Sequence, residues 1–145
     1  MDIPHPVPGL VIRYAYLWAD EHEAGQEEGS KDRPVAVVVG HGVEGNTVTA
    51  IVLPITHTPP TTADDALEIP AETKRRLGLD DQRSWIVLTE TNVFTWPGPD
   101  IRPVPGREPL TIAYGLLPAN FFHVIRDRLL AKQATRALRQ VRRTE

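Results

Sequence analysis

The pattern of apolar and polar positions divides the chain into three β-rich runs, a turn-rich middle and a helical segment toward the carboxyl end. Residues 10–18, LVIRYAYLW, alternate unevenly but are rich in β-branched and aromatic side chains. VAVVV (35–39) and NTVTAIVLPIT (46–56) are bounded by Gly, Pro and Asn. These residue types suit a pleated, half-buried surface, so the three runs predict three strands. The link HGVEGN between the second and third is short and glycine-bearing, which predicts a hairpin. The acidic stretch over residues 19–33 is long enough to predict a mobile loop, where function tends to concentrate. PPTTADDA (59–66) predicts a further loop.

After Pro70, AETKRRLGLDD predicts a short helix, opened by proline and closed by Gly78. SWIVLTETNVFTW predicts one or two strands, and TIAYGLL a last short one. PGPDIRPVPG between them predicts an irregular connection, because proline removes a ladder donor. From Pro118 onward, PANFFHVIRDRLLAKQATRALRQVRR spaces Phe121, Ile125 and Leu129 four apart, with Phe122 and Val124 widening the stripe. That spacing predicts an amphipathic helix. Beyond Leu130 the stripe thins, so residues 131–145 predict a basic helical extension or tail. No internal repeat is visible. The elements together predict a single domain over residues 1–145, mainly β with a C-terminal helix, of the α+β class.

Composition narrows the chemistry. A chain of 145 residues with 41% hydrophobic content suits one domain with a real core. The absence of cysteine excludes disulfides, thiolate nucleophiles and cysteine-ligated metal sites. No apolar run approaches the roughly 18–20 residues that span a bilayer, and MDIPHPVPG has neither a basic region nor an apolar signal core. A cytoplasmic protein without a membrane segment is expected. The net charge of −3 conceals an asymmetry. Asp20, Glu21, Glu23, Glu27, Glu28 and Asp32 crowd the first loop, whereas Arg126, Arg128, Lys132, Arg136, Arg139, Arg142 and Arg143 crowd the carboxyl end. Such a basic segment can meet nucleic acid or an acidic protein, or serve as a solvated helix face.

No Walker loop, GxGxxG after a strand, GxSxG elbow or HExxH helix is present. His5, His22, His41, His57 and His123 are scattered without metal-ligand spacing, so neither a metal nor a cofactor is expected. What remains is Arg33, directly before Pro34 at the start of the second run, and Thr56, His57 and Thr58 at the exit of the third. Antiparallel pairing of these runs would bring the start of one beside the end of the other. A phosphate could then sit between a guanidinium and a hydroxyl.

The run KDRPVAVVV followed by VTAIVLPITHT resembles the MazF, PemK and Kid family of toxin endoribonucleases, in which an RP dipeptide starts the second strand and an ITS-type tripeptide ends the third. PGLVIRYAYLW resembles the family's first strand and LLPANFFHVIRDRLLA its carboxyl-terminal helix, so the likeness covers roughly residues 7–131. The resemblance implies an SH3-like, partly open β-barrel of the PemK/CcdB type that forms a homodimer. It further implies metal-independent cleavage of single-stranded RNA, in which the 2′-hydroxyl attacks its own phosphate to give 2′,3′-cyclic phosphate and 5′-hydroxyl ends. An antitoxin protein is the implied partner, its acidic, disordered segment folding into the groove. Such chemistry needs fixed donors for the phosphorane oxygens and groups that move protons near neutrality.

Arg33 matches the family's catalytic arginine and Thr56 its catalytic threonine. His57 takes the place of a serine, and an imidazole with a pKa of about 6.5 can act there as general acid or base. His22 and Glu28 lie where some members place loop contributors. Thr58, Glu90, Asn92 and Trp96 are candidate RNA contacts, with Trp85 and Phe94 as further stacking faces. Each has an ordinary alternative: a salt bridge from Arg33 to the acidic loop, a plain strand threonine, solvated loop residues, core aromatics. The chain departs from the family in TETNVFTW, where Glu90 and Asn92 stand but the family's arginine does not. Loss of a second cation weakens phosphate stabilisation. Two alternatives therefore stay open: a catalytically degenerate RNA- or protein-binding module, and a gyrase-directed inhibitor of the same fold.

Overall fold

A computed structural model describes Met1 and residues 3–40 and 47–143. The expected hairpin link HGVEGN, including His41, lies outside the described residues. Along the chain run β1 (Leu10–Tyr14), α1 (Ala19–Glu23), β2 (Arg33–Val39), β3 (Val48–Thr56), β4 (Ala66–Glu68) and α2 (Ala71–Leu77). Then come β5 (Trp85–Val87), β6 (Glu90–Trp96), β7 (Ile101–Arg102), β8 (Ala113–Leu116), α3 (Ala119–Ala134) and β9 (Arg139–Arg142). The protein is mainly β with a few helices.

The strands form one branched sheet, antiparallel except for its last pairing. β2 lies between β1 and β3, with Tyr14 opposite Arg33 and Val35 opposite Pro54. β3 pairs along its first half with β6, from Val48↔Trp96 to Val52↔Asn92, and at its end with β5. β7 and β8 share the other side of β1. The unbroken apolar run of β2 follows from this arrangement, because both faces of the strand are covered. Val35 and Val37 join Leu10, Ile12, Tyr14 and Phe94 on one face. Ala36 and Val38 join Val11, Leu53, Ile55 and Ile86 on the other.

α3 covers the second face. Its fully buried Ile125 is the anchor, with Phe121, Phe122 and Leu129 packed around it. Burying such a side chain contributes about 1.5–3 kcal/mol. Val124, expected to widen the stripe, is instead exposed, as is Leu130. α2 has the expected punctuation, Pro70 before it and Gly78 after it at φ 71°, a left-handed conformation that glycine adopts without strain. Among the described residues no helix is long and apolar enough to cross a membrane.

Five expectations need correction. The first strand ends at Tyr14 rather than 18, and beyond it several backbone polar groups are taken by side chains instead of a ladder. Arg143 donates to the Ala15 carbonyl at 2.7 Å, and Asn92 bonds both the amide and the carbonyl of Leu17. The acidic loop contains α1 and is fastened by hydrogen bonds. PPTTADDA holds a 3-10 turn at Ala63–Asp65 and the first residue of β4, and PGPDIRPVPG holds β7. Finally, residues 131–134 complete α3, but the described residues 135–143 do not extend it as a helix. α3 stops at Ala134, Arg136 turns the chain at φ 58°, and β9 then pairs in parallel with β6. Val141 and Arg143 point inward at the two-residue spacing of a strand.

Candidate functional site

Antiparallel pairing places Arg33, the first residue of β2, at the same end of the sheet as Thr56, the last residue of β3. There a cleft of about 380 Å³ opens, lined among others by Arg13, Arg33, Thr56, His57, Asp80 and Tyr114. A second, shallower hollow shares Lys31, Arg33, Thr56 and Thr58 with it and is walled by Trp18, Pro59 and Pro60.

Arg33 is half-buried, and its Nε is a buried donor without a hydrogen-bond partner. Its guanidinium carbon stands 4.9 Å from the centre of the Trp18 ring, a cation–π distance. The salt bridge to the acidic loop, open as an alternative from the sequence, is not formed among the described residues. Burial lowers the pKa of Arg33, with the charge of Glu21 acting the other way.

The loop carboxylate nearest in effect, Glu21, is occupied elsewhere. Its Oε1 accepts from the Trp18 amide at 3.0 Å, and its Oε2 from Gln26 at 3.3 Å and from the Ser30 hydroxyl. Burial acts upward on its carboxyl, but these donors and Arg33 together hold it below the ordinary range. Gly29 closes the loop against the chain, since any side chain there would collide with the Tyr16 carbonyl.

Thr56 is oriented by its neighbour, because the Thr58 amide donates to Thr56 Oγ1 at 3.2 Å. With that lone pair used, the hydroxyl hydrogen is directed away and can be donated to a ligand. His57 Nε2 lies 2.7 Å from Asp80 Oδ2. Asp80 Oδ1 in turn accepts from Lys74 Nζ at 2.7 Å, and the buried Lys74 also donates to the Gln82 carbonyl. Burial acts upward on the Asp80 carboxyl, but Lys74 and His57 hold it below its usual value. A chain of polar contacts thus runs from a buried ammonium through Asp80 to the imidazole.

The charges of the cleft do not balance. Asp32 is paired with Arg102 at 3.6 Å and Asp80 with Lys74, whereas Arg13, Lys31 and Arg33 have no carboxylate partner among the described residues. The chain matches no family model and no curated protein. The case for a function therefore rests on this cleft. Its unpaired cations, unpartnered donor and oriented hydroxyl suit an anionic ligand with several acceptor oxygens. Among the described residues no three of His, Cys, Asp and Glu gather to hold a metal ion.

The structure brings Arg33, Thr56, His57 and Thr58 together, and leaves the other candidates outside. His22 is exposed and borders a separate hollow with Gln26 and Arg142. Glu28 is exposed, facing Asp100 and Arg102 rather than the cleft. Glu90 and Asn92 are corrected from RNA contacts to buried structural groups. Glu90 Oε1 accepts from the Tyr16 hydroxyl at 3.1 Å and the Ala19 amide at 2.8 Å, and burial pushes its carboxyl up. Trp96 is half-buried, its ring centre 6.0 Å from that of Phe94, and pairs with Val48 at the far end of β3. Eight residues of strand, about 26 Å, separate it from Thr56. Trp85 and Phe94 are core residues.

Asp80, Arg13, Tyr114 and Trp18 were not singled out by the sequence. Arg13 alone carried a signal, as a lone charge inside the apolar run LVIRY. Asp80 is 23 positions from His57, and no local pattern joins them.

Proposed function

We propose that the chain is an endoribonuclease that cleaves single-stranded RNA through attack of a 2′-hydroxyl on the adjoining phosphorus. The carrying observation is the buried, unpartnered Nε of Arg33 beside the oriented hydroxyl of Thr56. An unpaired buried donor is costly and is expected where a ligand completes it. Arg33 and Thr56 donate to the non-bridging oxygens as charge builds on the phosphorane. The bond from O2′ to phosphorus forms, and the bond from phosphorus to O5′ breaks. His57 takes the 2′ proton as the new bond forms and returns it to the departing 5′ oxygen. With Nε2–H donated to Asp80, the lone pair lies on Nδ1, and Asp80 stabilises the imidazolium that forms. The guanidinium fork supplies the charge that this chemistry needs without a metal.

The same reading makes the sheet an SH3-like, partly open barrel of the PemK/CcdB type in a cytoplasmic homodimer. Its antitoxin would lay an acidic segment on Arg13, Lys31 and Arg33. Support comes from the antiparallel β1–β2–β3 core with α3 packed on one face. A second reading, a module that binds RNA or protein without cutting it, is favoured by one observation. β6 offers no cation to the cleft, because its sequence ETNVFTW contains none, and its Glu90 and Asn92 are buried.

The test is incubation with single-stranded RNA in excess EDTA beside Arg33→Ala and Arg33→Lys, with the product ends mapped. Cyclic-phosphate and 5′-hydroxyl ends are expected. Activity should fall about 10²-fold or more in Arg33→Ala and be poorly restored by lysine, which lacks the fork. Equal cleavage by wild type and Arg33→Ala would refute the assignment. No cleavage by a folded wild type would leave the binding module.

A further inference from the structure

Arg13 stands one residue before the end of β1, between the fully buried Ile12 and Tyr14, and is itself half-buried. Among the described residues its side chain has one polar contact, and a weak one: Nη1 donates to the Tyr114 hydroxyl at 3.3 Å. Tyr114 is held in turn, since Arg107 stacks over its ring at 5.7 Å and is pinned to the Leu77 carbonyl at 2.8 Å. The structure has thus built a support for Arg13 without giving it a counter-ion. A half-buried guanidinium in that state has lost hydration and gained no carboxylate, which an incoming anion reverses.

Arg13 is not a duplicate of Arg33. It lies opposite Pro34, whereas Arg33 lies opposite Tyr14, so the two side chains leave opposite faces of the sheet and meet the cleft at its end from different sides. Thr56 is aligned with Arg33. Tyr114 is aligned with Arg13. The cleft therefore has two separate donor groups.

We infer that Arg13, oriented by Tyr114, binds the phosphate adjacent to the one held by Arg33 and Thr56. The ligand is then an oligonucleotide carrying at least two successive phosphates, not a mononucleotide or an isolated phosphodiester. This rests on the proposal that the cleft takes a nucleic-acid phosphodiester. It also answers the missing arginine of β6, since the second cation comes from β1.

The test uses 2′-deoxy dinucleotides, which cannot be cleaved by 2′-hydroxyl attack, bearing no terminal phosphate, a 5′-phosphate or a 3′-phosphate. Binding to the full chain is measured by calorimetry. Wild type should gain about tenfold in affinity from one of the two terminal phosphates, and the end that gains gives the direction of the strand. Measured against its own affinity for the unmodified dinucleotide, Arg13→Gln should lose the gain from the terminal phosphate, Arg13→Lys should keep part of it, and Tyr114→Phe should reduce it. With a longer uncleavable oligonucleotide, Arg13→Gln should lower the slope of log K against log salt by about 0.7. A wild type that gains from neither phosphate overturns the inference, as does an Arg13→Gln variant that keeps the gain or an unchanged slope. The gain without RNA cleavage would sustain the two-phosphate site and remove the nuclease assignment, so the two can fail separately.

Discussion

Asn92 gives the sharpest test of the described architecture. Its side chain is fully buried and makes three contacts: Oδ1 accepts from the Leu17 amide at 2.9 Å and from Arg143 Nη1 at 3.3 Å, and Nδ2 donates to the Leu17 carbonyl at 2.7 Å. Asn92→Leu keeps the number and branching of heavy atoms but strands a buried N–H and a buried C=O, at about 1–3 kcal/mol each. The expected loss is about 2–6 kcal/mol, a large share of the roughly 5–15 kcal/mol that holds a domain together. At about 2–4 °C per kcal/mol, a mid-range loss of about 4 kcal/mol lowers Tm by about 12 °C. Asn92→Asp keeps the acceptor for Leu17 and Arg143 but loses the donor, so it should fall between wild type and leucine. Urea unfolding followed by tryptophan fluorescence measures all three. A loss below about 1 kcal/mol for Asn92→Leu would refute the reasoning. Asn92→Arg, which from sequence alone looks like the restoration of a lost catalytic cation, should destabilise the fold and leave cleft activity unimproved.

Two further outcomes follow from buried charge and from β9. Burial raises the Glu90 carboxyl above its unfolded value, so folding favours the protonated acid; that stability is full below about pH 4 and is lost as pH rises through the folded pKa. Glu90→Gln keeps the acceptor for Tyr16 and Ala19 and is neutral throughout, so its Tm relative to wild type should increase from pH 4 to pH 8, and a pH-independent difference would count against this. Deleting residues 135–145 removes β9, exposes the edge of β6 and strands Asp100, which Arg143 meets at 3.2 Å. The shortened chain should be less stable and should elute on size exclusion as larger species than wild type, whereas wild-type elution with wild-type Tm would show that β9 contributes little.

The parts of the site that the sequence announced are those written locally. The arginine before Pro34 and the threonine closing the third apolar run mark strand ends, and antiparallel pairing of neighbouring runs brought them together without further information. α2 was legible for the same reason, its proline and glycine lying at its own boundaries. The failures are non-local. Buried Asn92 and Glu90 look like surface polar residues until their partners 71–75 positions away are known. α1 is too short and charged to be predicted by periodicity, and its support comes from Arg139, which meets Asp20 at 3.1 Å and Glu23 at 2.7 Å. The alternation of Val141 and Arg143 was masked by the helical spacing running into it from α3. Aromatic type alone pointed to Trp96, whereas proximity to Arg33 selects Trp18.

The clasp between β9 and the first loop also sets an order of events in time. Arg143 meets the Tyr14 hydroxyl 129 positions away, and Arg139 meets Asp20 across 119. Synthesis begins at the amino end, so the loop carrying Trp18 leaves the ribosome long before the strand that fastens it exists. The deletion variant resembles such an unfinished chain, and under the proposed function its RNA cleavage should be depressed along with its stability. Under the proposed activity, the loop that sets Trp18 against Arg33 stays unfastened on the nascent chain until β9 has been made.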